Sequence, residues 1–460
     1  MGVARGGGGR PGGHSAPARP VEDGGGLSLG FWPLYLAYNA ALCLAFVGGL
    51  PLWLSRYGAG LKGRLWGPSV RPRGIGSDEL RVWINAVSVG EVQAAYPVVV
   101  LLRESLGRAR LFLSSNTEAG LSFARGLLSG LVDEVFPYPF DLPLLVGRAV
   151  EAVSPDVYVT VEAEVWPNLF LKLKRAGVPV VVANGRFSER SFRRAPLLKD
   201  LFVPVLEGVA SFCMRTEEDA ARLLALGLDP SRVEVVGDTK VDAIALRKRS
   251  VDLMGLRAKL ALGHGDRLLV AGSTHRGEEE VFLSAYLALK REDGRLRALL
   301  VPRHVERAEE VLGLAERMGR EAGLGLRLCL TSAPVDGWDV MVCDRVGLLL
   351  ALYGLSSAAF VGGSLVDKGG QNPLEAAVWD VPVCFGPHME DFSEASSRLV
   401  DLYGARVVRS ASEMESFFRE AMRGMRGRSH RFEELFRDHL GASRRVVESI
   451  LRVLEGGRCR

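Results

Sequence analysis

The stretch Gly362-Gly363-Ser364-Leu365-Val366-Asp367-Lys368-Gly369-Gly370-Gln371-Asn372-Pro373-Leu374-Glu375 follows the apolar run AAFV at 358–361. It reads as a buried strand, a glycine-rich loop and a helix start, with Asn372 at the N-cap, Pro373 at N1 and Glu375 at N3. Those three residues cap a helix well without any ligand. The four glycines add close backbone approach, and the helix start offers free N–H groups to an anion. A carboxylate there can also accept from a ribose diol.

Working outward, the same strand–turn–helix pattern recurs on both sides. Residues 268–271 (LLVA), 298–301 (ALLV), 340–343 (VMVC) and 381–385 (VPVCF) are buried-strand runs, with helices predicted from Glu278, Arg307 and Pro373. Upstream, residues 82–87 (VWINAV), 111–114 (LFLS), 157–161 (VYVTV) and 178–183 (VPVVVA) alternate with helical patterns at 92–103, 142–153 and 216–226. Strands separated by helices of this length imply parallel sheets. Two in tandem, joined near residues 242–255, predict a two-domain α/β protein whose ligands sit at strand carboxyl ends.

The chain has 460 residues, 48% apolar and 24% charged, a globular composition long enough for two cores. A net charge of +4 is small for this length and argues against a nucleic-acid binder. The six cysteines and seven histidines are scattered, so reduced, mostly buried thiols and no metal site are expected. Residues 1–26 are rich in Gly, Arg and Pro and read as a disordered arm. Residues 29–54 hold no charge in 26 positions. As a helix they extend about 39 Å, enough to cross a hydrocarbon core of roughly 30 Å. Trp32, Trp53, Tyr35 and Tyr38 suit an aromatic belt, and Arg56, Lys62, Arg64, Arg71 and Arg73 precede the first acid, Asp78, marking that side cytoplasmic. A buried core helix is the alternative.

Several strand ends carry chemistry, each beside a plainer reading. Ser88 and Glu91 have capping-box spacing; for Glu91 to act as a base instead, it needs desolvation or a nearby negative charge. Glu162 and Glu164 follow a strand beside Trp166, costly unless bound to something. Lys240 precedes the domain joint. Ser273 and Thr274 end a strand and suit a phosphate, while Glu278, Glu279 and Glu280 complement a helix dipole. Arg303, after Pro302, is placed for phosphate pairing or is solvated. The loop 184–194 carries Arg186, Arg190, Arg193 and Arg194, a solvated loop or a site for lipid headgroup phosphates.

Together the segments WINAVSVGE, VEAEVWPN, ANGRFSERS, VGDTKVD, AGSTHRGEEE, VPRH and GGSLVDKGGQNPLEAA resemble the Kdo (3-deoxy-D-manno-octulosonic acid) transferases, in that family's order and over roughly residues 30–450. The resemblance implies a GT-B fold: a transmembrane anchor at 27–56, a Rossmann-like acceptor domain at 57–245 and a CMP-sugar domain with terminal helices at 246–460. It implies transfer from CMP-Kdo to a lipid A precursor at the inner membrane, with inversion and without metal or cofactor. Glu91 would be the general base, and Glu162 and Lys240 would steady the transition state. Pro302, Arg303, Val346, Gly347, Leu348, Asn372, Pro373, Leu374 and Glu375 would hold CMP, with Ser273 and Thr274 beside them. Departures fall at Asn85 and Gln371, where the family usually has His, at Leu348, often Glu, and at Arg276, where an acid is common. A membrane-tethered sugar-nucleotide scaffold and a sugar-nucleotide epimerase are the alternatives. The anchor and the arginine-rich loop speak against the epimerase, and Glu91, Glu162 and Lys240 against the scaffold.

Overall fold

The structure, a computed structural model, describes residues 30–57, 60–68, 70, 73, 79–162, 164–187, 199–424 and 431–458. The arm at 1–26 and the arginine-rich loop beyond Phe187 lie outside them.

Two seven-stranded sheets, parallel throughout, form the body. The first contains β1 (Arg81–Asn85), β2 (Arg110–Ser115), β3 (Glu134–Pro137), β4 (Val157–Val161), β5 (Val180–Gly185), β6 (Val209–Met214) and β7 (Val233–Val235), ordered β3-β2-β1-β4-β5-β6-β7. The second contains β8 (Arg267–Thr274), β9 (Leu296–Pro302), β10 (Leu328–Leu330), β11 (Val340–Val342), β12 (Ala358–Val361), β13 (Val383–Phe385) and β14 (Arg406–Val407), ordered β10-β11-β9-β8-β12-β13-β14. Helices cover both faces of each sheet, so central strands such as β1, β4 and β12 are buried along their whole length and read as continuous apolar runs. The short edge strands β3, β7, β10 and β14 carry no such run and escaped prediction; so did β6.

The expected joint begins within a helix, Thr239–Arg249. Its start lies at the first sheet: Thr239 N donates to Asn184 Oδ1 at 2.9 Å. Its end lies at the second, where Lys248 Nζ donates to Val378 O. The last helix, Ala442–Arg458, was expected with the second half, yet it returns to the first. Val446, Val447, Ile450 and Leu454 complete the core that contains Ile84, Val92 and Val159. Asp242 caps its start, accepting from Gly441 N and Ser443 N at 2.8 and 2.7 Å. The chain therefore crosses between halves twice.

Helix Phe31–Tyr57 is the expected apolar helix. Its segment Phe31–Gly49 is long and apolar enough to cross a membrane and has one face exposed and little of it buried, which speaks against the buried-core reading. Two details differ from expectation. Tyr35 and Tyr38 do not sit as a belt; they donate to Asn168 and Asp141 of the first domain. Two of the cations counted toward orientation are used internally: Arg64 is buried and donates to Tyr138 O and Asn116 O, and Arg73 pairs with Asp156 at 3.0 Å. Cys213, Cys329, Cys343 and Cys384 are buried free thiols and Cys43 is an exposed one.

Candidate active site

Glu91 lies in the first turn of helix Val89–Leu106, directly after β1. The spacing with Ser88 predicts a capping box, but the box is not made. Ser88 bonds no helix amide; its hydroxyl donates to Glu91 Oε1 at 3.2 Å, and Glu91 Oε2 accepts from Val87 N at 2.7 Å. The carboxyl is buried, with two polar partners for two oxygens. Burial pushes its pKa up to about 7; the Val87 amide opposes this, and the negative charges of Glu162 and Glu164 add to it. Both conditions that a base at this position requires are therefore present.

Glu162 leaves the end of β4 with φ +62°, a left-handed conformation that costs a non-glycine residue roughly 1–2 kcal/mol. Such strain persists only where surrounding contacts over-determine it. Here it turns the carboxylate to Lys240, whose Nζ lies 2.7 Å from Glu162 Oε1. Lys240 is in the first turn of the linker helix, and Asn184, also left-handed at φ +53°, anchors that helix one residue earlier. Glu164 is partly buried, and burial together with Glu162 raises its carboxyl pKa. Three acids and one ammonium thus surround the carboxyl ends of β1 and β4. The expectation that the paired acids need a partner holds for Glu162, whose partner is 78 residues away.

The second half is arranged differently. The glycine-rich loop was expected to offer its amides to a ligand anion, but the protein supplies its own. Glu278, fully buried, accepts four backbone bonds: from Gly363 N (2.7 Å) and His275 N (2.9 Å) on Oε2, and from Ser364 N and Leu365 N (both 2.9 Å) on Oε1. A Cβ on Gly362 would meet Ser273 O at 2.6 Å, which is why the loop needs glycine there. The other two glutamates also have separate partners. Glu279 is buried against Arg307 (2.8 Å), and Glu280 caps its helix through Gly277 N (3.1 Å). All three lie in the first turn of the helix, as the dipole reading expects, but only Glu280 bonds the helix's own start.

The predicted nucleotide-binding residues follow the carboxyl ends of β8, β9, β11 and β12. Ser273 is left-handed, at φ +54°. The Thr274 hydroxyl is buried and donates to Glu279 Oε1 at 2.9 Å, so it is not offered to a ligand; its carbonyl instead accepts from Arg303 N at 3.0 Å. Pro302 is buried and Arg303 exposed. Val346 is 84% exposed beside Gly347, which has φ +90°, and Leu348 immediately precedes the helix that follows. The helix after Pro373 is a single turn, Leu374–Ala377, and Asn372 Oδ1 accepts from Leu374 N at 3.1 Å, so little of a free helix start remains. Glu375 pairs with Arg247 at 3.1 Å; burial raises its carboxyl pKa, while Arg247 first and Arg303 next pull it down. Arg247 escaped sequence reasoning, although it lies seven residues, two helical turns, after Lys240. One linker helix therefore carries a cation to each domain's acid.

Two parallel α/β domains, acids at the strand ends of one and a basic, glycine-rich rim on the other, place the chain in the GT-B class of sugar-nucleotide enzymes. The family model described as 3-deoxy-D-manno-octulosonic-acid transferase (kdotransferase) matches residues 55–243. A 3-deoxy-D-manno-octulosonic acid transferase of Haemophilus influenzae is 30% identical over 434 residues, covering 92% of this chain and 98% of its own. One from Chlamydophila psittaci is 32% identical over 370 residues, 79% and 83% of the two chains. The solved UDP-GlcNAc 2-epimerase of Neisseria meningitidis superposes with a TM-score of 0.56 over 81% of this chain and 100% of its own, at 13% identity, a likeness of fold. The chain belongs to the 3-deoxy-D-manno-octulosonic acid transferase family, and it is a glycosyltransferase rather than an epimerase or a scaffold.

Proposed function

We propose that this enzyme moves Kdo from CMP-Kdo to a hydroxyl of the lipid A precursor lipid IVA, with inversion and without a metal, in lipopolysaccharide synthesis. The reading rests chiefly on Glu91, a buried carboxyl whose pKa is held near 7 beside the Glu162–Lys240 pair. In a single displacement the acceptor oxygen forms its bond to the anomeric carbon as the bond from that carbon to the CMP phosphate oxygen breaks. The bonding pair leaves with CMP, and the hydroxyl proton passes to Glu91. A base near neutrality is matched to that transfer. Lys240, oriented by Glu162, supplies positive charge where the sugar carboxylate and leaving phosphate gather negative charge.

CMP is assigned to the second domain's rim. Arg303 and the backbone around Ser273 meet phosphate, Val346, Gly347 and Leu348 border the base, and Asn372, Pro373, Leu374 and Glu375 meet the ribose. Thr274 serves through its carbonyl, which holds Arg303. The exposed apolar stripe of the helix attaches the enzyme to the inner membrane; because the opposite stripe is docked on the first domain, the helix lies against the membrane rather than crossing it as the expected single-pass anchor, with both domains on the cytoplasmic face where the lipid acceptor is presented. Incubation of detergent-solubilised enzyme with CMP-Kdo and lipid IVA tests the reading. CMP release with a mass gain on the lipid of one or more Kdo units is expected; the absence of both would refute it.

A further inference from the structure

The N-terminal helix does more than hold the enzyme near lipid. Phe31 is fully buried in the core that contains Phe170, Leu201 and Val205. On the same face, Tyr35 OH donates to Asn168 Oδ1 at 2.6 Å and Tyr38 OH to Asp141 Oδ2 at 2.8 Å, while Asn39 Oδ1 accepts from Asn168 Nδ2 at 2.9 Å. Phe46 meets Phe140 edge-on at 5.3 Å. The positions i, i+4, i+7, i+8 and i+15 form one stripe, so the helix is seated along some 22 Å of the domain. The opposite stripe, with Leu36, Leu44 and Val47, is 65–75% exposed.

The stripe is seated on two residues that sequence reading passed over. Asp141 and Asn168 are 4% and 3% exposed. Besides Tyr38, Asp141 accepts from Asn168 N at 3.0 Å and Leu169 N at 2.9 Å, which fixes the start of helix Pro167–Arg175. The residues immediately before that start are Glu162, Glu164 and Trp166, and Trp166 also lies against Tyr138, 5.8 Å between ring centres. Hydrogen bonds thus run from the apolar helix to the start of helix Pro167–Arg175, and the chain leads directly back from that start to the reaction-centre acids. Hydrogen bonds to a buried carboxylate are costly to lose, because the stranded acceptor has no water to turn to.

We propose that the N-terminal helix is a positioning element of the reaction centre: Tyr35, Tyr38 and Asn39, seated on Asp141 and Asn168, fix the turn that presents Glu162 to Lys240 and Glu164 to Glu91. The inference rests on the proposed reaction. It means that the docked stripe faces protein and only the outer stripe faces lipid.

The test compares full-length wild type with Y35F/Y38F, which keeps both rings and removes both hydroxyls, and with L44S/V47S on the exposed stripe, all in detergent. For Y35F/Y38F, kcat is expected to fall about tenfold while KM for CMP-Kdo stays unchanged; N39A gives the same direction with less disturbance should the double variant be poorly produced. L44S/V47S is expected to retain wild-type kcat in detergent while losing membrane association in cell fractionation. Wild-type kcat in both Y35F/Y38F and N39A, or an equal fall of kcat in L44S/V47S, would overturn the inference. A wild type that itself transfers no Kdo would instead overturn the underlying reaction.

Discussion

Two buried glutamates occupy the equivalent place in the two halves, beside the first strand-to-helix turn, and are treated in opposite ways. Glu278 in the second half is saturated by four backbone amides. Glu91 in the first half receives one amide and one hydroxyl, and has two other acids nearby. Four donors hold a carboxylate in one orientation and make it part of the scaffold. Two donors, burial and like charge leave the other with an affinity for protons near neutrality, the property a base requires. The difference between a structural and a chemical acid in this molecule is a difference in the supply of donors.

Exchanging each acid for its amide separates the two. Glu91→Gln is expected to lower turnover by two or more orders of magnitude, on the scale of a lost general base, with CMP binding retained in calorimetry. It should not destabilise the fold at pH 8. The native carboxyl holds its proton up to about 7 against an ordinary 4.5, so raising the pH through that window costs folded-state stability, a cost the amide does not have. Glu278→Gln is expected to do the reverse: a loss of about 2 kcal/mol in denaturant unfolding, since one amide nitrogen would then face backbone N–H groups. Lys240→Met should lower kcat by about tenfold, weaker than the base because the pair is partly exposed. The smallest effect is expected of Glu375→Ala, a few-fold weakening of CMP binding with little change in kcat. Lost stability with unchanged CMP affinity would make that residue the structural partner of Arg247 and nothing more.

Much of this plan is legible in the residues, and what is not has a common cause. Uniformly apolar runs such as VYVTV announce buried parallel strands, and Ser88–Glu91 marks a strand-to-helix turn. Local spacing is the limit of such signals. The run Glu278-Glu279-Glu280 reads as a helix-dipole complement, yet Glu278's partners Gly363, Ser364 and Leu365 are 85–87 residues away and no local pattern encodes them. Glu162 and Lys240 are brought together in the sequence only by the family resemblance, since the contact itself depends on a left-handed turn. Tyr35, Tyr38 and Asn39 have a clear i, i+3, i+4 spacing, whose meaning emerges only once Asp141 and Asn168 are brought beneath them. The last helix looks like the end of the second half because its apolar stripe names no partner; the strands it covers belong to the first.

The central claim, that Glu91 takes the acceptor proton, is tested most directly by the pH dependence of kcat/KM for the lipid acceptor, measured from pH 5 to 9 on wild type and Glu91→Gln. The base acts only when deprotonated, so wild-type activity should rise tenfold per pH unit on the acid side and level off above about pH 7, while the residual activity of the variant shows no such limb. A wild-type profile that is flat through pH 7, or one whose acid limb survives unchanged in the variant, would contradict the account.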